Sequence, residues 1–274
     1  MRTMKTLVLL ALILCGLAIA DHTIPTQESD IKLVELTENN FVAIRGQIDE
    51  STASRFISDV MKLKSNRIYV YLTTPGGSVI SGMTIVQTIN TLQASGKEFV
   101  CIADRAASMG FVIFQSCAQR YVMEHSIIMQ HQVSLGIEGQ YEQVKSYLKL
   151  IESLDKKMTL RQAKKLGLTP EEFHTRVQHD WWLHGEDILD HGAADEVVNV
   201  ICDFDTTKTY DIKKYTFFGE IDLQFSLCPL IHNPTNIKFK NMNGEGLIDN
   251  VKQKEIINDL VDEYTKFDFS VKYF

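Results

Sequence analysis

Apolar residues recur at two different spacings between residues 31 and 201, and the two kinds of segment alternate along the chain. Segments with the two-residue spacing of a strand, or with short apolar runs, lie at 31–36, 42–48, 67–73, 99–103, 126–131 and 194–200. Segments typical of helices lie at 49–64, 79–94, 111–119, 138–166 and 185–190, and another begins at Pro170. This alternation predicts crossover connections and an α/β fold with a largely parallel sheet.

The N-terminus has the pattern of a secretory signal peptide. Two basic residues precede an apolar run from Leu7 to Ala20, which is too short to span a membrane comfortably. The run ends in Ala18-Ile19-Ala20, a small-x-small cleavage pattern, directly before Asp21. We expect residues 1–20 to be a signal peptide that directs export, followed by a linker at 21–30.

The composition changes near Cys202. From there the chain is richer in lysine, aspartate and aromatic residues, and its last pattern predicts a helix at about 252–267. We therefore divide the mature chain into a domain at 31–201 and a C-terminal extension of unassigned role at 202–274.

Four cysteines follow the signal peptide, and an exported chain can form disulfides. Cys202 and Cys228 flank the start of the extension, so we predict that they pair. Cys101 and Cys117 lie in apolar surroundings and are expected to be buried thiols.

Charge and motif spacing exclude several functions. The net charge of −7 over 274 residues argues against a nucleic-acid-binding surface, which is usually basic. The cysteines lack the spacing of a zinc site, and Gly76-Gly77 is not followed by the Gly-Lys-Ser/Thr of a phosphate-binding loop. We expect no metal, cofactor or nucleic-acid partner.

The stretch from Asp104 to Gly110 lies between a predicted buried strand and a predicted buried helix. A small-residue turn at this place can expose the Ser108 hydroxyl beside free helix amides, which suits a nucleophile and a developing oxyanion. A serine before a helix is by itself more often a simple cap.

Three motifs occur in one order along the chain. They are Thr74-Pro75-Gly76-Gly77-Ser78-Val79 with Gly82-Met83, then Ala106-Ala107-Ser108-Met109-Gly110, then Met129-Gln130-His131-Gln132. Together they resemble the ClpP family of serine peptidases, the proteolytic subunits of Clp protease, over about residues 31–200. The resemblance implies a ClpP/crotonase-like α/β fold of repeated β-β-α units with a long handle helix, to which this chain adds its C-terminal extension.

The family's catalytic residues carry over by position. The resemblance implies that Ser108 attacks the scissile carbonyl, that His131 takes its proton, and that Asp180 fixes the histidine tautomer. It also implies that the amides of Gly77 and Met109 form the oxyanion hole. A glycine that lets substrate approach closely and the amide after the nucleophile are suited to that role. The expected reaction is therefore endopeptidase cleavage of peptides or unfolded proteins.

Two features depart from the family pattern, and two alternative functions stay open. Val133 replaces the usual proline after His-Gln, and a signal peptide does not fit a partner of an ATP-driven unfoldase. One alternative is a serine-lysine peptidase of the signal peptide peptidase A or NfeD-associated type, with Lys145 or Lys149 as base. The other is a non-peptidase of the crotonase fold that binds acyl-CoA thioesters.

The long amphipathic helix at 138–166 bears on assembly. In the ClpP-like family such a helix stacks two rings, so the resemblance implies a homo-oligomer of stacked rings. Because an exported peptidase has no ATP supply, we do not expect an AAA+ unfoldase as a partner, and we expect the substrates to be peptides or already unfolded chains.

Overall fold

The computed structural model describes residues 31–217, 219–241 and 250–265. The strands in these ranges are β1 (Lys32–Leu36), β2 (Phe41–Arg45), β3 (Arg67–Thr74), β4 (Glu98–Ala107), β5 (Gln119–Gln130), β6 (Trp181–His184), β7 (Glu196–Cys202), β8 (Thr209–Thr216), β9 (Gly219–Ser226) and β10 (Asn236–Asn241). The helices are α1 (Glu50–Val60), α2 (Val79–Ala94), α3 (Met109–Phe114), α4 (Tyr141–Leu166), α5 (Pro170–Val177), α6 (Asp187–Asp190) and α7 (Asn250–Thr265). The predicted signal peptide and linker lie outside the described residues.

The central sheet contains seven of these strands. Its order is β1-β7-β5-β4-β3-β2, with β6 attached to β5. Every neighbouring pair is parallel except β5 and β6. The predicted α/β fold with a largely parallel sheet is thus confirmed. Because β3, β4 and β5 run in one direction, the loops after all three meet at the same edge of the sheet.

Strand β4 shows why the centre of the sheet is stable. Phe99, Cys101 and Ala103 belong to the large cluster that also contains the helices, whereas Val100 and Ile102 belong to a second cluster on the opposite face. All five are fully buried. Full burial of a large apolar side chain contributes about 1.5–3 kcal/mol, so β4 is held from both faces.

The boundaries around β5 differ from the prediction. The helix expected at 111–119 ends at Phe114, and Gln119 already begins β5, a strand of 12 residues. Arg120 is charged and interrupts the apolar pattern that would otherwise have indicated the start of this strand. Its guanidinium is buried and lies 2.5 Å from Asp195, which is 75 residues away in sequence. A buried charge needs such a partner. Since the partner lies far away in sequence, the local sequence could not indicate that Arg120 belongs to a buried strand.

Two disulfides are present. Cys202–Cys228 is confirmed, with an S–S distance of 2.00 Å. The expectation of thiols at Cys101 and Cys117 was wrong, because these residues form a second disulfide of 2.06 Å. Their burial was predicted correctly. The chain turns back after α3 and brings the two Cα atoms to 5.7 Å, within the normal range for a disulfide.

The C-terminal extension has a small fold of its own. Strands β8, β9 and β10 form an antiparallel sheet, and apolar residues of α7 pack against its buried face. Helix α7 was predicted at nearly the observed position, but the three strands were not predicted. The alternation in Gly219–Ser226, where Ile221, Leu223 and Phe225 are buried, was the available signal.

Arg45, at the end of β2, joins the extension to the domain. Its Nη1 donates to the Ile231 carbonyl at 3.0 Å, and its Nη2 donates to the Cys228 carbonyl at 2.7 Å. The guanidinium lies 5.9 Å from the ring centroids of both Tyr210 and Phe225. A buried cation is therefore compensated by carbonyl dipoles and ring faces of the extension.

His232 makes a second contact between the two parts. Its Nδ1 accepts a 2.6 Å hydrogen bond from Arg105, and its Nε2 lies 3.3 Å from Asp104. Burial lowers the pKa of His232 from its ordinary 6.5, and Arg105 and Arg45 reinforce the shift while Asp104 opposes it. The neutral ring is thus the form that fits between Arg105 and Asp104.

We predict that acidification weakens this contact. Since the folded-state pKa lies below the unfolded value of 6.5, stability is fully present above pH 6.5 and falls as the pH drops towards the folded pKa. The melting temperature between pH 7.5 and 5.5 should decline more steeply for the wild type than for His232→Asn, which does not titrate. Equal slopes for the two proteins would contradict this role of His232.

Candidate active site

Ser108 and His131 come together because β4 and β5 are neighbouring parallel strands. The last pair of their ladder is Ala107 with Met129. Ser108 follows β4, and its amide donates to the Met129 carbonyl at 2.8 Å. His131 directly follows β5, so both side chains lie at the same edge of the sheet.

The backbone of Ser108, which is half-buried, has an unusual conformation. Its φ of 53° and ψ of −117° are rare for a residue with a Cβ, and such a conformation costs on the order of 1–3 kcal/mol. The side chain does not cap α3. Instead, Ser108 Oγ lies 2.8 Å from His131 Nε2. A simple helix cap therefore does not describe Ser108, whereas a sharp strand-to-helix turn is typical of catalytic serines.

The glycine turn after β3 packs against Ser108. A Cβ on Gly76 would lie 2.7 Å from both the Ala107 carbonyl oxygen and Ser108 Cβ. On the other side, the Ile48 amide donates to the Gly76 carbonyl, and the Ser78 amide donates to the Ile48 carbonyl, both at 2.8 Å. The turn is thus fixed between residue 48 and the nucleophile.

The two predicted oxyanion donors lie next to this contact. Met109 is the first residue of α3, and Gly77 follows the glycine packed on Ser108. Within the described residues, neither amide donates a hydrogen bond to another group. Both N–H groups thus have no hydrogen-bond acceptor among the described residues.

Asp180 lies nearby but is not joined to His131. Strand β6 pairs antiparallel with β5, and Gln130 opposite Trp181 is the last pair, so His131 and Asp180 are the next residues of the two strands. Asp180 is exposed and has a φ of 40°. In the described chain, its carboxylate makes no hydrogen bond to His131. The structure brings two of the three predicted catalytic residues into contact.

The lysine alternative is not favoured by this geometry. Lys145 and Lys149 are exposed on the first half of α4, and Lys145 Nζ lies 5.7 Å from the Tyr141 ring centroid. A lysine needs burial to act as a base at neutral pH. The crotonase-type alternative leaves the Ser108–His131 contact unexplained.

A cavity of about 250 Å³ opens beside His131. Its apolar lining includes Leu135, Leu148, Ile151 and Met158, so it can receive an apolar side chain. Two buried glutamines, Gln130 and Gln162, also line it and were not identified from the sequence. Gln162 could have been noticed in the sequence, because it is a polar residue on the apolar side of an amphipathic helix.

The described ranges contain neither a metal-binding cluster nor a membrane-spanning helix. No group of three or more histidine, cysteine, aspartate or glutamate side chains there could hold a metal ion. No helix in those ranges has both the length and the apolar character to cross a membrane.

Comparisons with known proteins identify the same family that the three sequence motifs indicate. The model of the Clp protease family matches residues 26–200. The chain is similar to the ATP-dependent Clp protease proteolytic subunit of Streptococcus gordonii, with 30% identity over 171 residues that cover 60% of this chain and 86% of that protein. The subunit of the same name from Streptococcus pneumoniae (strain 70585) is also 30% identical over 171 residues, with the same coverage.

We predict that Gly76→Ala inactivates Ser108 by steric contact. The added Cβ would push the Ser108 turn, and a displacement of reacting groups by about 1 Å can cost about a hundredfold in rate. Gly96→Ala is the matched control, because its φ of +96° resembles the +98° of Gly76 but its Cβ would meet nothing within 4 Å. Labelling of Ser108 by a fluorophosphonate should slow at least tenfold in Gly76→Ala alone; equal rates in the two variants would contradict the contact.

Proposed function

Since this chain belongs to the Clp protease family and is a serine-type endopeptidase, we propose that it cleaves peptide bonds through Ser108 and His131. The observation that carries the proposal is the 2.8 Å contact between Ser108 Oγ and His131 Nε2, at a serine whose backbone is held in a strained turn. A nucleophile in hydrogen-bond contact with its base is the arrangement that acyl transfer requires.

The reaction follows from these positions. His131 takes the Ser108 proton as Ser108 Oγ attacks the carbonyl carbon, and it later returns the proton to the leaving amine. The Gly77 and Met109 amides stabilise the negative charge on the carbonyl oxygen. Water then hydrolyses the acyl-enzyme by the same proton transfers in reverse.

The proposed substrates are peptides and unfolded proteins. An extended chain can pair with the backbone beyond Gly77 through main-chain hydrogen bonds, which read little sequence. The cavity beside His131 has both polar and apolar lining residues, and its apolar residues favour an apolar side chain next to the cleaved bond. A folded substrate would first have to lose several kcal/mol of stability.

Asp180 is the proposed third member of the triad. Its support is the register that places it beside His131 at the end of β5 and β6. The aspartate must turn its carboxylate towards the imidazole when substrate binds, and catalytic hydrogen bonds are often incomplete without substrate.

Helix α4 supports the proposed assembly. The buried residues of this 26-residue helix begin at Ile151, whereas Tyr141, Tyr147, Leu148 and Leu150 are exposed apolar side chains on its first half. Exposed apolar surface of this extent is typical of a subunit contact. We propose that a second copy of the chain covers it, in a homo-oligomer of stacked rings.

Export is also proposed. The relatives are named ATP-dependent, but the periplasm and the space outside the cell have no ATP supply. The enzyme would then act without an unfoldase on chains that are already unfolded.

We predict that Ser108→Ala abolishes hydrolysis of a fluorogenic peptide with an apolar residue before the cleaved bond. Asp180→Asn should lower kcat by up to about 10⁴, because an asparagine favours the wrong histidine tautomer. Asp190→Asn, another exposed aspartate in this region, is the control and should keep wild-type turnover. Turnover in Ser108→Ala would show that Ser108 is not the nucleophile. A loss of kcat below about tenfold in Asp180→Asn would show that Asp180 is not part of a triad and that Ser108 and His131 act as a pair.

We predict that protein recovered from its native host begins at Asp21 and is an oligomer. N-terminal sequencing and light scattering of one preparation test both points. A retained Met1 in a cytosolic fraction would contradict export, and a stable, active monomer would contradict the ring assembly.

A further inference from the structure

Two buried glutamines connect α4 to the catalytic histidine. Gln130 is the last residue of β5, and Gln162 lies on α4 between Met158 and Leu166. Only 5% of Gln130 and 4% of Gln162 is exposed. An amide in an apolar environment costs free energy unless it is hydrogen-bonded, so a pair of them beside the active site needs an explanation.

The two side chains form a directed chain of three hydrogen bonds. The His131 backbone N–H donates to Gln130 Oε1 at 3.2 Å. Gln130 Nε2 donates to Gln162 Oε1 at 2.6 Å, and Gln162 Nε2 donates to the Met158 carbonyl at 3.2 Å. Each side-chain amide thus accepts on its oxygen and donates from its nitrogen. The series of hydrogen bonds ends on the backbone of α4.

This series of hydrogen bonds begins at His131, a residue that strand pairing does not hold. The β5–β6 ladder ends at Gln130, so His131 lies one residue beyond the last pair. Its N–H is held by a side chain, and that side chain is held by α4. The Asp180 carboxylate makes no hydrogen bond to His131 in the described chain. Gln130 and, through it, α4 therefore hold the backbone of His131, while its ring contacts Ser108.

We propose that Gln130 and Gln162 are positioning residues for His131, a role that rests on the proposed peptidase function. They hold the His131 backbone so that Nε2 meets Ser108 Oγ. They do not touch the reacting atoms.

The test compares kcat and KM for a fluorogenic peptide in three variants. Gln162→Leu keeps the approximate volume but removes both side-chain hydrogen bonds, and it should lower kcat by about ten- to a hundredfold with KM nearly unchanged. Gln115→Leu is the matched control. Gln115 is also 5% exposed, donates to the Ala193 carbonyl and accepts from Arg120, but it has no contact with His131. The Gln115→Leu variant should be less stable than the wild type but should keep the wild-type kcat.

Gln162→Glu supplies a readout that a purely structural role would not move. A protonated glutamic acid can accept from Gln130 and donate to the Met158 carbonyl, whereas the carboxylate cannot donate. Burial raises the pKa of a carboxyl group. The carboxylate still accepts from Gln130 but loses the bond to the Met158 carbonyl and repels its oxygen. The ratio of variant to wild-type kcat should therefore be near one at pH 6 and lower by pH 8.5, though still above the ratio for Gln162→Leu.

The outcomes separate this inference from the proposed function. Wild-type kcat in Gln162→Leu, an equal loss in Gln115→Leu, or a pH-independent ratio for Gln162→Glu would each overturn it. If Gln162→Leu does not fold, Gln130→Met breaks the same chain from β5 and should give the same loss of kcat. Turnover in Ser108→Ala would instead reject the peptidase function.

Discussion

The site depends on the parallel pairing of β4 and β5. The hydrogen bond from the Ser108 amide to the Met129 carbonyl ends this pairing and fixes where the nucleophile turn begins. Both strands are buried in the middle of the sheet, and their packing compensates for the strained conformation of Ser108. A catalytic pair on the ends of buried strands is held more precisely than one on mobile loops.

The extension is attached to this same part of the sheet. The Cys202–Cys228 disulfide fixes its start, Arg45 donates to its carbonyls, and His232 contacts Asp104 and Arg105 in β4. The register of β4 shifts at this point, between Ala103 and Arg105, a few residues before Ser108. The extension thus packs against the strand that precedes Ser108 and is a structural part of the enzyme.

The two proposed catalytic residues are held by different elements. Ser108 is fixed by β5 and by the glycine turn, whereas His131 is fixed by Gln130 and through it by α4. The first half of α4 carries the exposed apolar residues that we assign to a subunit contact. A single helix therefore links the proposed assembly surface with the geometry of the base.

The sequence alone determined the α/β alternation, the long helix and the Ser108 turn, because periodicity and turn residues are local signals. The Cys202–Cys228 pair was predicted from the position of both cysteines at the start of the extension. It did not determine the strand character of Arg120, the Cys101–Cys117 disulfide, the strands of the extension or the Gln130–Gln162 pair. Apart from the alternation in β9, each of these depends on a partner from another segment of the chain, such as Asp195 for Arg120 and Gln162 for Gln130. Only the tertiary structure decides which polar groups meet, since the free energy of burying a polar group depends on the partner it finds.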